Sequence, residues 1–352
     1  MTGFRIRERV AARLNLLPEA LYDAFPAVLF GRVLVIASSL GLFDELERRA
    51  QTQEEISRSL NLPLESAELM LSSLNAAGYL KKRRAVYSLA PQAAKWLVRS
   101  SPHSLANFLE YVELLHAHWL TLEDSLRRGR PLKTYVETFG LDEWRIYTDG
   151  MMDLAKLILP RLLPKIELPE GARTLLDLGG SHGLYALELC RRYPLLRATI
   201  TDFPAVLART VALVEEYGLG HRVKLLPCNI IDASLRPAPH DVVLAFNIVH
   251  GFRPEANRAL LSTIAAALFP GGLLLILDQF KNERSRGAAR MLPMMVGVNL
   301  LNEIGGNVYD SAEVQGWCRE AGLVRVRYHR LSLPGVGLIS ARGSSRAFRT
   351  EI

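Results

Sequence analysis

Leu175-Leu176-Asp177-Leu178-Gly179-Gly180-Ser181-His182-Gly183 is the stretch whose reading decides the fold. An aliphatic run suited to a buried strand meets glycines that let the backbone turn tightly and come close to a ligand, and a helix follows. A dinucleotide-binding turn would read G-x-G-x-x-G directly after the strand. Here the glycines fall at Gly179, Gly180 and Gly183, and an acid, Asp177, precedes them at the strand end. The loop is therefore a ligand-cradling turn of a different kind.

Downstream, short β-branched and aliphatic runs alternate with helical segments, the pattern of a parallel sheet with crossover helices. Strands are expected near 174–178, 198–201, 223–226, 242–246 and 273–277, with two later ones near 324–329 and 336–341. The polar tail from Arg342 is expected to lack fixed structure. Each of the first five strands is followed by a polar group. Asp177 belongs to the first and Asp202, in Thr201-Asp202-Phe203-Pro204, to the second. Asn229 and Ile230 follow the third, Asn247 and His250 the fourth, Asp278 and Gln279 the fifth. In an open α/β sheet that rim is where ligands bind. Asp202 has two readings: a carboxylate accepting both hydroxyls of a ribose, or a cap on the helix that Pro204 opens. Asn229 is placed to bond an adenine amino group. An acid-first glycine loop followed by a ribose-type carboxylate suits S-adenosylmethionine (SAM) rather than a dinucleotide.

Upstream, the first half is helix after helix. Thr52-Gln53-Glu54-Glu55 has the form of a capping box. Asn61 and Pro63 open a helix with apolar positions at Ala67, Met70, Leu71 and Leu74, which Gly78 ends. Two short strands around Lys81-Lys82-Arg83-Arg84 complete the order of a winged helix. A groove-reading helix needs donors for bases and phosphates, and this one offers Glu65 and Glu68 and no Lys or Arg. The module is read as structural, with no nucleic acid as partner.

The 352 residues suffice for two domains with real cores, and 49% hydrophobic and 22% charged residues exclude wholesale disorder. The net charge of +7 comes from Arg and Lys spread along the chain and reads as a solvated basic surface. The apolar stretch Val28 to Phe43 carries Arg32, is shorter than a bilayer span and lacks the features of a secretory signal, so a buried helix is expected there. Cys190, Cys228 and Cys318 lie far apart, which argues against a metal or a disulfide framework and for the cytoplasm.

With these residues in view, nearly the whole chain resembles the SAM-dependent O-methyltransferases of the plant caffeate and hydroxyindole type. Ser39-Leu40-Gly41-Leu42-Phe43-Asp44 and the winged helix resemble that family's dimerisation domain, and Asp177 to Gly183 is similar to its D-x-G-G-G-x-G loop with Ser181 for the third glycine. The resemblance implies a Rossmann-like class I methyltransferase domain with a seven-stranded sheet, preceded by a mainly helical winged-helix dimerisation domain. The divisions expected are 1–100 for dimerisation, 101–165 for a helical connector contributing to the acceptor pocket, and 166–352 for SAM binding. It implies a homodimer acting on a small-molecule acceptor. Gly179, Gly180, Asp202, Phe203, Asn229, Ile230 and Asn247 would surround SAM, with Asn229 where the family usually has Asp.

A phenol has a pKa of about 10, so the oxygen attacks a methyl group only once a base takes its proton. His250 stands where the family's catalytic His begins an H-D-W-S-D-like segment, and Asp278 matches the carboxylate that orients it. Two departures stand out. Gly251-Phe252-Arg253 replaces the usual D-W-S, and the family's second carboxylate falls on Val308, after Gly305-Gly306-Asn307. Glu303 is close enough in sequence to substitute. Met151, Met152, Met291, Met294 and Met295 are either acceptor-pocket wall or plain core. O-methylation of an aromatic or polyketide-like hydroxyl leads; C-methylation of a pigment or tetrapyrrole-like ring and a SAM-sensing regulator without methyl transfer are the alternatives.

Overall fold

The computed structural model describes residues 18–230, 238–281 and 286–344. Of the polar tail, residues 345–352 lie outside them, whereas Arg342 ends a strand. The chain divides into two compact units, residues 1–114 and 115–352, so the boundary falls within the helix Ala106–Trp119.

In the first unit, Thr52 caps the helix Gln53–Ser59. Glu55 N donates to Thr52 Oγ1 at 3.3 Å and Thr52 N to Glu55 Oε2 at 2.8 Å, the reciprocal bonds of a capping box. The helix Leu64–Ala76 follows and buries Ala67, Leu71 and Leu74. Strands β2 (Leu80–Arg83) and β3 (Val86–Leu89) form the hairpin, and β1 (Gln51–Thr52), which the sequence reading did not contain, pairs with β3. The expectation for Val28 to Phe43 needs correction. Within the helix Pro26–Ser39, only Val35, Ala37 and Ser38 are buried, while Val28, Leu29 and Ile36 are exposed, as are Phe25 before it and Leu40 after it. The segment Glu19–Ser39 is, by length and composition alone, apolar enough to cross a membrane. Among the described residues of this unit, the core reaches the helix at Ala37 and at its partly buried neighbours Phe30, Val33 and Leu34.

The second unit is an α/β sandwich. Strands β4 (Thr174–Leu178), β5 (Arg197–Asp202), β6 (Val223–Pro227), β7 (His240–Leu244), β8 (Leu268–Lys281), β10 (Val324–Arg330) and β11 (Val336–Arg342) lie in the order β10-β11-β8-β7-β4-β5-β6. A two-residue β9 (Tyr309–Asp310) pairs with β8 beyond this path. The neighbours from β6 to β8 run parallel, and β10 and β11 are antiparallel. Strand periodicity sorts the aliphatic residues into two cores. Leu273, Leu275 and Leu277 face the layer built by helices Leu141–Leu162, Leu184–Arg192 and Pro204–Glu216. Leu274 and Ile276 face the opposite layer, built by Pro254–Ala266 and Ser311–Glu320. Strand order reverses between β4 and β7, the point where such sheets open a crevice at their carboxyl ends.

Ile276 has no solvent exposure and sits mid-strand in the second of these cores. Ile276→Ala should lower unfolding free energy by about 2–5 kcal/mol, measured from denaturant midpoints at unchanged slope.

Candidate active site

A cavity of about 410 Å³ opens at the strand reversal and is lined entirely by the second unit. The glycine loop forms its floor. Gly179 takes φ +61°, and a Cβ there would be strained and would push Ile248 Cδ1 aside, so glycine suits the position. Ser181 and Asn247 also adopt positive φ, +46° and +55°, uncommon for residues other than glycine. Backbone held in this region in two lining residues is strain of the kind that collects at functional sites.

Of the expected cofactor residues, Gly179, Gly180, Asp202, Phe203, Asn229, Ile230 and Asn247 all line this cavity. Asp202 is not a conventional helix cap. The N-cap of Pro204–Glu216 is Phe203, which makes no side-chain cap bond, and Pro204 occupies the first turn. Instead Asp202 Oδ2 accepts from Ser181 N at 2.9 Å and Oδ1 from Phe203 N at 2.7 Å, tying the glycine loop to the end of β5. Burial raises the Asp202 pKa to about 6 against the pull of those two donors. Asp177 lies below it, 1% exposed. Burial and then the charge of Asp202 push its pKa up to about 8.

Asp177 Oδ2, Ser181 Oγ and Asn247 Oδ1 are buried and have no hydrogen-bond partner among the described residues. Orphaned polar atoms cost free energy when nothing meets them, so three on one cavity mark a place built for a polar ligand. Two are carboxyl or amide oxygens and the third, of Ser181, is an adaptable hydroxyl, and a further acid, Asp202, lines the same cavity. A ligand bearing hydroxyl donors and positive charge fits, and SAM, with its ribose diol, ammonium and sulfonium, has both.

His250 sits in a 3₁₀ turn, Val249–Gly251, after β7 and lines the same cavity. Its Nδ1 lies 2.6 Å from Asp278 Oδ1, and its backbone N donates to Asp278 Oδ2 at 3.1 Å. An ionised carboxylate only accepts, so Nδ1 carries the proton and Nε2 keeps the free lone pair. Burial disfavours the imidazolium, but the charge and hydrogen bond of Asp278, helped by the charge of Glu303, outweigh it and hold the His250 pKa above the ordinary value. Asp278 is itself 2% exposed and does not line the cavity. Four of the five strand ends therefore reach the cavity directly, and the fifth touches it only by its contact with His250. His182, also in the wall, is a poor competitor as a base: its Nδ1 accepts from Leu184 N at 3.0 Å, and burial drives its pKa down to about 3.

Val308 is 1% exposed and brings no charge to its position. Glu303, 2% exposed, accepts from Asn299 Nδ2 at 2.6 Å, and its charge reaches His250. The methionines divide. Met151 lines the cavity and Met152 packs into the core, whereas Met291, Met294 and Met295 are exposed and outside the cavity wall. The helix carrying these three, Ala288–Ile304, is apolar around its circumference, so composition alone could not tell its inner face.

The sequence reading missed the aromatic wall: Tyr135, Trp144 and Tyr147, with Phe246 and Phe252. Trp144 meets Tyr135 edge-on at 5.5 Å and Tyr147 at 5.7 Å, and lies 6.1 Å from Phe203. Burial raises the pKa of both Tyr135 and Tyr147, so each phenol stays protonated. A signal existed, since Trp144, Tyr147 and Met151 repeat at the spacing of one helical face. A core stripe has the same spacing.

The fold and the cavity together define a class I methyltransferase. The chain belongs to the O-methyltransferase domain family, whose profile matches residues 119–324, and is thereby a SAM-dependent enzyme. It is 27% identical over 332 residues to the 3-hydroxy-5-methyl-1-naphthoate 3-O-methyltransferase of Streptomyces sahachiroi, covering 92% of this chain and 94% of that one. It is 26% identical to the acetylserotonin O-methyltransferase of Mus musculus, covering 94% and 90%. Among solved structures, human N-acetylserotonin methyltransferase in complex with SAM superposes with a TM-score of 0.82 at 21% identity, over 93% of this chain and 97% of that one.

Asp202→Ala should weaken SAM binding by about 1.5–3 kcal/mol in a folded variant. Titration calorimetry reads the loss directly, and unchanged affinity would reduce Asp202 to a tie for the glycine loop.

Proposed function

We propose that the chain transfers the methyl group of SAM to a hydroxyl of an aromatic or polyketide-like small molecule, with His250 as general base and Asp278 as the group that orients it. The observation carrying this reading is the 2.6 Å contact between Asp278 and His250 Nδ1 beneath a cavity that His250 lines. Bound there, SAM supplies an already activated methyl group. The chain's own tasks are alignment and proton removal. Gly179 and Gly180 admit the cofactor closely, Asp202 takes the ribose hydroxyls, and Asn229 and Ile230 border the adenine. Phe203 and Asn247 complete its surround. The aromatic wall of Tyr135, Trp144 and Tyr147 excludes water and offers ring faces and edges to a flat acceptor. Nε2 of His250 accepts the phenolic proton as the oxygen attacks, and Asp278 stabilises the imidazolium that results. With Val308 contributing no charge, the second negative charge near the base comes from Glu303.

In this reading residues 1–100 serve dimerisation, 101–165 add Tyr135, Trp144, Tyr147 and Met151 to the acceptor pocket, and 166–352 bind SAM. The exposed apolar face at Phe25, Val28, Leu29, Ile36 and Leu40 is covered by a second copy of the chain rather than by lipid. Arg32, midway along the segment, pairs with Glu113, an ion pair ill-suited to a bilayer core. Three free cysteines, two of them buried, suit the cytoplasm. On the helix Leu64–Ala76, Glu65 and Glu68 are exposed and repel phosphates, against a DNA-binding regulator.

His250→Ala should lower single-turnover methyl transfer about 10²-fold or more while leaving SAM affinity nearly intact. In the unaltered enzyme the rate should rise with pH as the imidazolium loses its proton, with a midpoint above that of an ordinary histidine, because the folded-state pKa is raised. Asp278→Asn should move that midpoint down and cost less than loss of the base. A pH-independent rate insensitive to His250 would instead indicate methylation at carbon or of a pre-ionised acceptor.

Light scattering at micromolar concentration should give the mass of a dimer. Placing charge on the exposed face, as in Val28→Glu with Ile36→Glu, should give the monomer, and a monomeric unaltered protein would overturn the assignment.

A further inference from the structure

At the end of the sheet opposite the catalytic cavity, one face changes character. On β8 and β11, Leu277 and Leu338 pair and lie in the core. Two and four residues further along the same face of β11, Ser340 stands opposite Leu275 and Arg342 opposite Leu273. The edge strand β10 adds Arg327, opposite Ser340. With Arg325, His329 and, from before β4, Lys165 and Glu167, these residues line a groove of about 210 Å³ that shares no lining residue with the catalytic cavity.

Four permanent cations, Lys165, Arg325, Arg327 and Arg342, thus face one carboxylate. Among the described residues Lys165, Arg325 and Arg327 have no ion-pair partner, and Arg342 donates to the carbonyl of Gly271 at 3.2 Å. The backbone is bent to gather them. Register on β10 shifts between Val324 and Arg327, and Arg325 takes φ +52°. A bulge re-aims side chains, and left-handed backbone is uncommon for arginine. Burial, then the charges of Lys165 and Arg327, hold the His329 pKa below its ordinary value; burial and then Arg325 lower that of Arg342. None of these cations stands directly opposite another on the strands, and Lys165, Arg325 and Arg327 are exposed, but gathered around one groove they raise the local potential for an anion.

We propose that this groove binds a small molecule through its phosphate group. The choice of anion follows from charge and shape. A single carboxylate leaves most of the excess positive charge unmet, whereas a phosphate carries up to two charges and accepts the forked donors of several guanidinium groups at once. The groove's size suits a phosphate or pyrophosphate, and a nucleic-acid duplex would need a longer basic track.

The test is titration calorimetry on the full chain with inorganic pyrophosphate and, separately, glycerol phosphate, at constant ionic strength and with the catalytic cavity saturated by S-adenosylhomocysteine. Saturable 1:1 binding is expected for at least one probe; tighter binding of pyrophosphate assigns a diphosphate ligand and equal binding a monophosphate. Arg325→Gln with Arg327→Gln should weaken it about ten-fold or more, with S-adenosylhomocysteine affinity unchanged. Should that variant fail to fold, Lys165→Glu on the exposed 3₁₀ turn Leu163–Lys165 tests the same groove. No heat beyond that of matched sodium chloride, or equal affinity in the variants, would overturn the proposal.

Discussion

Asp177 and Asp202 are buried near enough that the charge of Asp202 raises the pKa of Asp177, with no Lys or Arg among the residues lining their cavity. Burying a charge without a partner is costly, and the usual relief is neutralisation or a bound counter-charge. Backbone donors relieve Asp202 in part, and in doing so tie the glycine loop to the end of β5. Asp177 keeps an oxygen with nothing to meet it. With its pKa raised to about 8, Asp177 keeps its proton at neutral pH, and a cationic, hydroxyl-bearing nucleoside in the cavity would favour its ionised form. The cavity's position at the strand reversal, the strained Ser181 and Asn247 and the side-chain-free turn at Gly179 all serve that one arrangement.

The proposed base belongs to a different part of the same sheet. His250 follows β7 and Asp278 lies on β8, which are neighbours in the sheet although separated by 28 positions in sequence. Parallel pairing brings the two strand ends level, and the 3₁₀ turn at Val249–Gly251 brings the imidazole over the carboxylate. Because Asp278 also accepts from the backbone N of His250 and from Gln279 N at 2.8 Å, its orientation is determined from several sides. A rigidly held carboxylate fixes the tautomer, which is what a base at Nε2 requires. Val308 is buried and uncharged, and the further acid whose charge reaches His250 is Glu303.

Much of this was legible before any coordinates. The boundaries of β4 agree with the expected strand, and β5, β6 and β11 extend theirs by a residue or two, because strands covered by helices on both faces of a sheet read as short aliphatic runs. β7 lies two residues earlier than expected: Ala245 and Phe246 are apolar and buried, yet already belong to the turn that carries Asn247. The capping box at Thr52 was equally plain, being a local exchange of hydrogen bonds between residues three apart. The exposed helix face at Val28 and Leu29 was misjudged for the opposite reason. Hydropathy states that a surface should be covered, and not by what.

The amino-acid sequence by itself determined the order of strands and helices, the glycine turn and the polar residue at each strand end, since all are local matters of period, backbone freedom and residue type. Which of those residues meet was decided by the tertiary structure alone. Asp278 meets the ring of His250, Asp202 holds the glycine loop, and three of five methionines lie outside the cavity wall. Trp144 and Tyr147 became a wall, and Arg325, Arg327 and Arg342 a groove, only because sheet pairing and helix packing bring distant segments to one place. Spacing along a chain encodes which side of an element a residue occupies; what lies opposite that side depends on how the elements are stacked.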